Sequence, residues 1–150
     1  MTLRAGIFIV KRKKSLDATF SALLDMPHAN HGAAKGKAMR LATLILPTMN
    51  NAGVDQTDTH IALQSQLIAE FGGFTVAHGN GGWRDDSTGK VMCDPVAVYS
   101  IAMDQNDAND AGALESIARF YGHMAGQVCV MVTHASGEVV FIDSTVKESV

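Results

Sequence analysis

Hydrophobic and polar positions alternate with two different periods after about residue 38, and the alternation predicts both strands and helices. Residues 41–46 form a short, wholly apolar run that Pro47 ends, as expected of a strand buried on both faces. A second largely apolar run covers residues 95–103. Five strands are predicted: residues 41–46, a strand that begins at residues 74–76, and residues 95–103, 128–132 and 139–142. A Ser136-Gly137 turn joins the last two.

Two segments between these strands carry apolar residues at helical spacing. The first follows turn residues at 50–53, has Asp55, Thr57 or Asp58 as its possible N-cap, and stops at Gly72-Gly73. The second has possible caps at residues 107–110 and ends at Gly126. Their apolar stripes are Leu63, Leu67, Ile68 and Phe71 in the first helix, and Leu114, Ile117, Ala118 and Tyr121 in the second.

The resulting order is βαββαβ with one extra strand, which predicts an α+β fold of the ferredoxin-like kind. Such a fold is an antiparallel sheet with two helices on one face, here with a C-terminal hairpin strand. The first and third strands are the most apolar and should be central. Because the other face needs a cover and large exposed apolar patches are rare on monomers, we expect an oligomer. Candidates for the covered face are Val76, Tyr99, Cys129 and Met131.

A change of composition near residue 38 divides the chain into an N-terminal arm, residues 1–38, and the ferredoxin-like domain, residues 39–150. The arm contains an apolar run, a basic run at residues 11–14, and a helical patch with one apolar face. No apolar run approaches the roughly 20 residues of a membrane-spanning helix. The basic run follows the apolar stretch, the reverse of a secretory signal. We therefore expect no membrane partner and no export.

The overall composition narrows the classes of partner. The formal net charge of −3 gives no electrostatic reason to expect nucleic acid as a partner. Two cysteines imply no disulfide framework, so a reducing, cytoplasmic location is expected. His28 and His31 could supply half of a metal site that the sequence does not complete. We expect neither a metal nor a cofactor.

The most informative segment is Gly79-Asn80-Gly81-Gly82-Trp83-Arg84-Asp85-Asp86. Its glycines permit positive φ and close approach to a ligand, and their N–H groups can form an anion-binding nest. Trp83 offers a flat face for an adenine or a cation, and Arg84 can bind a carboxylate or phosphate. His78 lies beside the segment, and Asp94 supplies further negative charge nearby. These features predict a ligand-binding glycine-rich turn.

A purely structural interpretation of this segment is also open. Residues 86–90 suit a hairpin turn, and Gly81-Gly82 can mark a bulge where a strand bends. The segment has no Gly-Lys-Ser/Thr ending, so it is not a phosphate loop. It opens no helix, which excludes a dinucleotide-binding fingerprint.

The order of elements, with residues 73–76 leading into the glycine segment, resembles the PII signal-transduction superfamily, whose members are trimers that bind adenine nucleotides between subunits. The chain is also similar to the phage S-adenosylmethionine (SAM) lyases over roughly residues 60–142. In those enzymes a Gly-x-Tyr motif ends the second strand, and an acidic residue follows at the start of the third. Gly81-Gly82-Trp83 and Asp94 match that spacing, with Trp in place of Tyr and Asp in place of Glu.

The resemblance implies a unimolecular reaction in which the carboxylate of SAM displaces methylthioadenosine and leaves homoserine lactone. It implies a homo-oligomer, expected to be a trimer, that binds a small adenosyl ligand between subunits. Its catalytic residues would be Trp83 and Asp94, and its substrate-binding residues would be His78, Gly79, Gly81, Gly82, Arg84 and Asp85. Two alternatives remain open: a non-catalytic PII-like ligand sensor, and a viral structural or assembly protein, which the N-terminal arm favours.

Overall fold

The computed structural model describes residues 38–145, which form one five-stranded sheet with two helices. Residues 1–37 of the predicted arm, with their two histidines, lie outside the described residues, and the division into arm and domain stays a prediction. The elements are β1 (Arg40–Pro47), α1 (Thr57–Phe71), β2 (Thr75–Arg84), β3 (Val91–Met103), α2 (Ala108–Met124), β4 (Cys129–Thr133) and β5 (Val139–Asp143).

The strands lie in the order β2-β3-β1-β4-β5, and every neighbouring pair is antiparallel. The first four strands therefore form the predicted ferredoxin-like βαββαβ arrangement, and β5 extends it as a hairpin partner of β4. Strands β1 and β3 lie side by side inside the sheet, which confirms their predicted central position. Their long apolar runs suit strands that have neighbours on both sides and side chains packed on at least one face.

The hydrophobic core lies between one face of the sheet and the two helices. It contains Leu44 and Ile101 from the sheet with Leu63, Leu67 and Leu114 from the helices, all fully buried. The predicted stripe of α2 is buried as a whole. In α1 the stripe is narrower than predicted, because Ile68 is 44% exposed.

The N-termini of the two helices are capped in different ways. The Asp107 side chain accepts hydrogen bonds from the N–H groups of Asn109 and Asp110, as predicted for the cap of α2. Helix α1 has no side-chain cap at Gln56. Instead, the Asp55 carboxylate accepts from the backbone N–H and the hydroxyl of Thr57.

The prediction that Tyr99 belongs to the uncovered sheet face was wrong. Tyr99 is fully buried on the helix side, and Val76, its partner in the β2–β3 register, shares that face. Both parities of β3 are rich in apolar residues, so its alternation does not identify the inner face. The Tyr99 ring packs against the Phe74 ring, with centroids 5.5 Å apart, and this contact helps to hold Tyr99 on the helix side.

Apolar side chains remain exposed on the sheet face that the helices do not cover. Leu41 of β1 is 63% exposed, and Val139 and Phe141 of β5 are 52% and 69% exposed. The register aligns Ile45, Met131 and Phe141 across β1, β4 and β5, so these side chains form a row.

None of the helices within residues 38–145 is long and apolar enough to cross a membrane. The expected cytoplasmic location stays a prediction.

Candidate functional site

A two-stranded ribbon carries the residues that the sequence singled out. Strands β2 and β3 pair continuously from Thr75–Ser100 to Arg84–Val91, whereas β1 pairs with β3 only from Val96 onward. Residues 81–84 and 91–94 therefore continue beyond the part of the sheet that has a third strand. We call these two stretches and the turn that joins them the ribbon.

The glycine-rich turn predicted at residues 79–86 is strand as far as Arg84, so that prediction was wrong for its glycines. Gly79, Gly81 and Gly82 lie in β2 opposite Val96, Asp94 and Cys93, without positive φ and without a bulge in the register. Pairing with β3 keeps the backbone of these residues extended. Their N–H groups therefore cannot converge to form an anion-binding nest. The chain turns further on, at residues 85–90, where Gly89 has φ 68°.

Trp83 and Asp94 meet on the ribbon. Trp83 pairs with Met92 in the register, so Asp94 is its diagonal neighbour on the same face. The indole Nε1–H donates a hydrogen bond to Asp94 Oδ2 at 3.3 Å. Trp83 is 54% exposed, which leaves the indole face open to a ligand. The structure thus brings together the two residues proposed as catalytic, on the face that the helices leave uncovered.

The other predicted site residues divide between two faces and the turn. Gly79 and Gly81 share the face of Trp83, while His78, Gly82 and Arg84 lie on the opposite face because strand residues alternate. Asp85 organises the turn: its Oδ1 accepts from the hydroxyl of Ser87 at 2.6 Å and from the Ser87 N–H at 2.8 Å. Those hydrogen bonds, the hydroxyl's foremost, hold the pKa of Asp85 below its usual value.

A polar cluster that the sequence analysis missed lies on the helix side of β3. His60 Nε2 is 2.9 Å from the carbonyl oxygen of Pro47, which only accepts, so Nε2 carries the proton. His60 Nδ1 then accepts from the Tyr99 hydroxyl at 2.6 Å. Gln64 donates to the same hydroxyl oxygen at 3.3 Å. Both His60 and Gln64 lie beside the apolar stripe of α1. This position in the sequence was the one sign that their side chains face the sheet.

We expect Tyr99→Phe to lower the free energy of unfolding by about 1–2 kcal/mol, because His60 and Gln64 would each lose a partner inside the protein. Burial raises the pKa of Tyr99. The neutral phenol is thus favoured in the folded state, and the wild type should lose stability as the pH rises above about 10, where the unfolded tyrosine ionises. Urea denaturation at neutral and alkaline pH measures both effects.

The other tyrosine, Tyr121, provides the control for this prediction. Its hydroxyl donates to the carbonyl oxygen of Ala62 at 3.2 Å. Tyr121→Phe should keep the alkaline loss of stability that Tyr99→Phe reduces. An equally steep alkaline loss in the wild type and in Tyr99→Phe would contradict the assignment.

A polar pair lies between α2 and the β4–β5 turn. His134 Nε2 and Glu115 Oε1 are 2.8 Å apart beside a cavity of about 220 Å³. Asp107 and Glu138 also line this cavity. Within residues 38–145, no group of three or more histidine, cysteine or acidic side chains is arranged to hold a metal ion.

Comparisons with known proteins agree with this fold. The family model described as "Protein of unknown function (DUF3574)" matches residues 44–141. No curated protein matches the chain. A phage SAM lyase in complex with S-methyl-5'-thioadenosine is 12% identical, with a TM-score of 0.58 over 75% of this chain and 95% of the lyase. A phage SAM lyase in the apo state is 13% identical, with a TM-score of 0.51 over 73% of this chain and 94% of the lyase.

Proposed function

Because the chain belongs to the DUF3574 family, whose description assigns no activity, we propose from its candidate site that it is an oligomeric protein that binds an adenosyl ligand at Trp83 and Asp94. The reaction that we propose is cleavage of SAM to methylthioadenosine and homoserine lactone. The proposal also draws on the fold that the chain shares with phage SAM lyases.

The observation that carries this proposal is the hydrogen bond from the Trp83 indole to the Asp94 carboxylate on an exposed ribbon. The bond fixes the carboxylate next to an open aromatic face. SAM offers an adenine ring that stacks on such a face and an ammonium group that pairs with such a carboxylate. The phage SAM lyase with S-methyl-5'-thioadenosine binds a related adenosyl compound.

The proposed reaction needs no nucleophile from the protein. A carboxylate oxygen of SAM forms a bond to its own γ-carbon while the bond from that carbon to sulfur breaks, and the electron pair leaves with sulfur. No proton or water is consumed, and the carboxylate and sulfonium charges neutralise each other. The protein has to hold SAM in a folded conformation. Asp94 does so by holding the ammonium group, which leaves the substrate carboxylate free to attack, while Trp83 stacks on the adenine.

The site is completed by neighbouring subunits in this proposal. Within residues 38–145 the ribbon consists of two strands, and a two-stranded element in water is marginally stable by itself. The uncovered sheet face adds exposed apolar side chains that include Leu41 and Phe141. Both features favour a homo-oligomer, and the resemblance of the sequence to the PII superfamily, whose members are trimers, makes a trimer the form that we propose.

We expect light scattering to give the mass of three chains, and Phe141→Asp to lower that mass, because the charge would be buried in the subunit interface. The matched control is Ile68→Asp, which introduces the same side chain at an exposed apolar position of α1, on the other side of the sheet. Ile68→Asp should leave the mass unchanged. A wild-type mass equal to one chain would contradict the oligomer.

The function is tested by incubating the protein with SAM and separating the products by chromatography. Methylthioadenosine and homoserine lactone should form in equal amounts. A calorimetric titration with SAM and ATP runs in parallel. Absence of both product and heat would overturn the proposed function and favour a structural role.

Binding without cleavage is the second candidate function, and one sequence feature favours it. Asp94 is one methylene shorter than the glutamate of the similar enzymes, so its carboxylate lies about 1 Å or more further from the substrate. A displacement of that size can end catalysis while binding remains. Heat with SAM or ATP in the absence of product would identify a PII-like sensor.

A further inference from the structure

A cavity of about 160 Å³ lies on the helix side of β2 and β3, opposite the face that carries Trp83 and Asp94. Its floor consists of Tyr99 and His60, which are 0% and 7% exposed. Gln64 and Ile61 of α1 form one wall, and His78 of β2 forms another. The cavity therefore includes neither Trp83 nor Asp94, and it takes His78, which the resemblance assigned to the SAM site.

The floor of this cavity is rigid because each polar group fixes the next. The Pro47 carbonyl orients His60, His60 orients the Tyr99 hydroxyl, and Gln64 binds that hydroxyl with its amide nitrogen. One N–H of Gln64 is used in this way, so its second N–H and its carbonyl oxygen are left for another partner. A preorganised amide edge of this kind lowers the entropic cost of binding.

The remaining lining has polar and apolar parts and one carboxylate. The imidazole of His78 makes no hydrogen bond within the described part of the chain, and it can donate or accept. Ile61 is 57% exposed and provides an apolar surface. No lysine or arginine lines the cavity. Its one carboxylate, Asp55, already accepts hydrogen bonds from Thr57.

We propose that this cavity is a second binding site, for a small neutral heteroaromatic molecule of nucleobase size. A ring edge with a donor and an acceptor pairs with the Gln64 amide and the His78 imidazole, while the ring face covers Ile61. A phosphate or carboxylate ligand would meet Asp55 with no cation to offset the repulsion. A hydrocarbon would leave the polar groups of Gln64 and His78 desolvated and unpaired.

Adenine is the probe that tests this site, in calorimetric titrations of the full chain. The wild type should release or absorb heat on binding, and Gln64→Ala and His78→Ala should each weaken binding about 5- to 10-fold, the loss expected for a hydrogen bond. Gln66→Ala is the matched control, because Gln66 lies on the same helix, is exposed and does not line the cavity. It should bind adenine as the wild type does.

Two further measurements separate this site from the proposed SAM site. In the Trp83→Ala background, where the adenine stack of the proposed SAM site is absent, Gln64→Ala and His78→Ala should still each weaken adenine binding about 5- to 10-fold, and adenine should shift the imidazole NMR signals of His78 in the wild type. Loss of adenine binding in Trp83→Ala, with wild-type affinity in Gln64→Ala and His78→Ala, would overturn the inference and place the base at Trp83. Absence of adenine binding, or tighter binding of inorganic phosphate than of adenine, would also overturn it.

Discussion

Gly122→Ala is expected to lower the free energy of unfolding by about 1–3 kcal/mol, the usual cost of overpacking a core. Gly122 lies in α2 where the helix approaches β4 and the residues after β5. An added Cβ would overlap Cγ2 of Val130 and would be 2.9 Å from Cβ of Ser144. Val130 is 2% exposed and Ser144 is fully buried, so neither has room to move away. Thermal or urea denaturation measures the loss.

Gly112 provides a matched control on the same helix. A Cβ at Gly112 would meet nothing within 4 Å, and the residue is exposed. There the substitution to alanine should raise the free energy of unfolding by about 0.5–1 kcal/mol, because alanine is the better helix former. The same change of residue type should therefore act with opposite signs at two positions of α2. Equal effects at Gly112 and Gly122 would contradict the close approach of α2 to Val130.

Asp94→Asn is expected to reduce the rate of SAM cleavage about 100-fold, if the charge of this carboxylate holds the substrate ammonium group. A hydrogen bond to a charged group is worth up to about 3 kcal/mol, which corresponds to a factor of that size in rate. Asparagine keeps the shape of the side chain, and its oxygen can still accept the Trp83 indole N–H. The fold should therefore remain, and product formation from SAM measures the effect.

Asp86 is the control position for the charge change. It lies exposed in the turn of the ribbon, so Asp86→Asn removes the same charge from the same ribbon without touching the indole. Its rate should stay close to that of the wild type. Cleavage by Asp94→Asn at the wild-type rate would remove Asp94 from the proposed mechanism. An equal fall in both variants would show that net charge, not the position of Asp94, matters.

The order and type of the elements were predictable because their signals are local. The buried run of β1, the apolar stripe of α2 and the Asp107 cap each lie within a few consecutive residues. Central positions of β1 and β3 followed from the same apolar runs, together with the handedness of the connections.

The candidate site was predictable only in part. The spacing between Trp83 and Asp94, eleven residues, suits two strands joined by a hairpin, and the structure brings the two side chains within hydrogen-bond distance. The conformation of Gly79, Gly81 and Gly82 was not predictable from their glycine content. Glycine permits a turn and a strand alike, and pairing with β3 decides in favour of the strand.

The sequence by itself determined the α+β class, the order of the elements and the strands that lie inside the sheet, because periodicity and capping act over short stretches of chain. The tertiary structure decided which face of β3 is buried and brought His60 to Tyr99, 39 residues away. It also divided the predicted ligand residues, with Trp83 and Asp94 on one face of the β2–β3 pair and His78 and Arg84 on the other. These outcomes depend on the register between distant strands and on the packing of α1 against one face, and no local pattern encodes either.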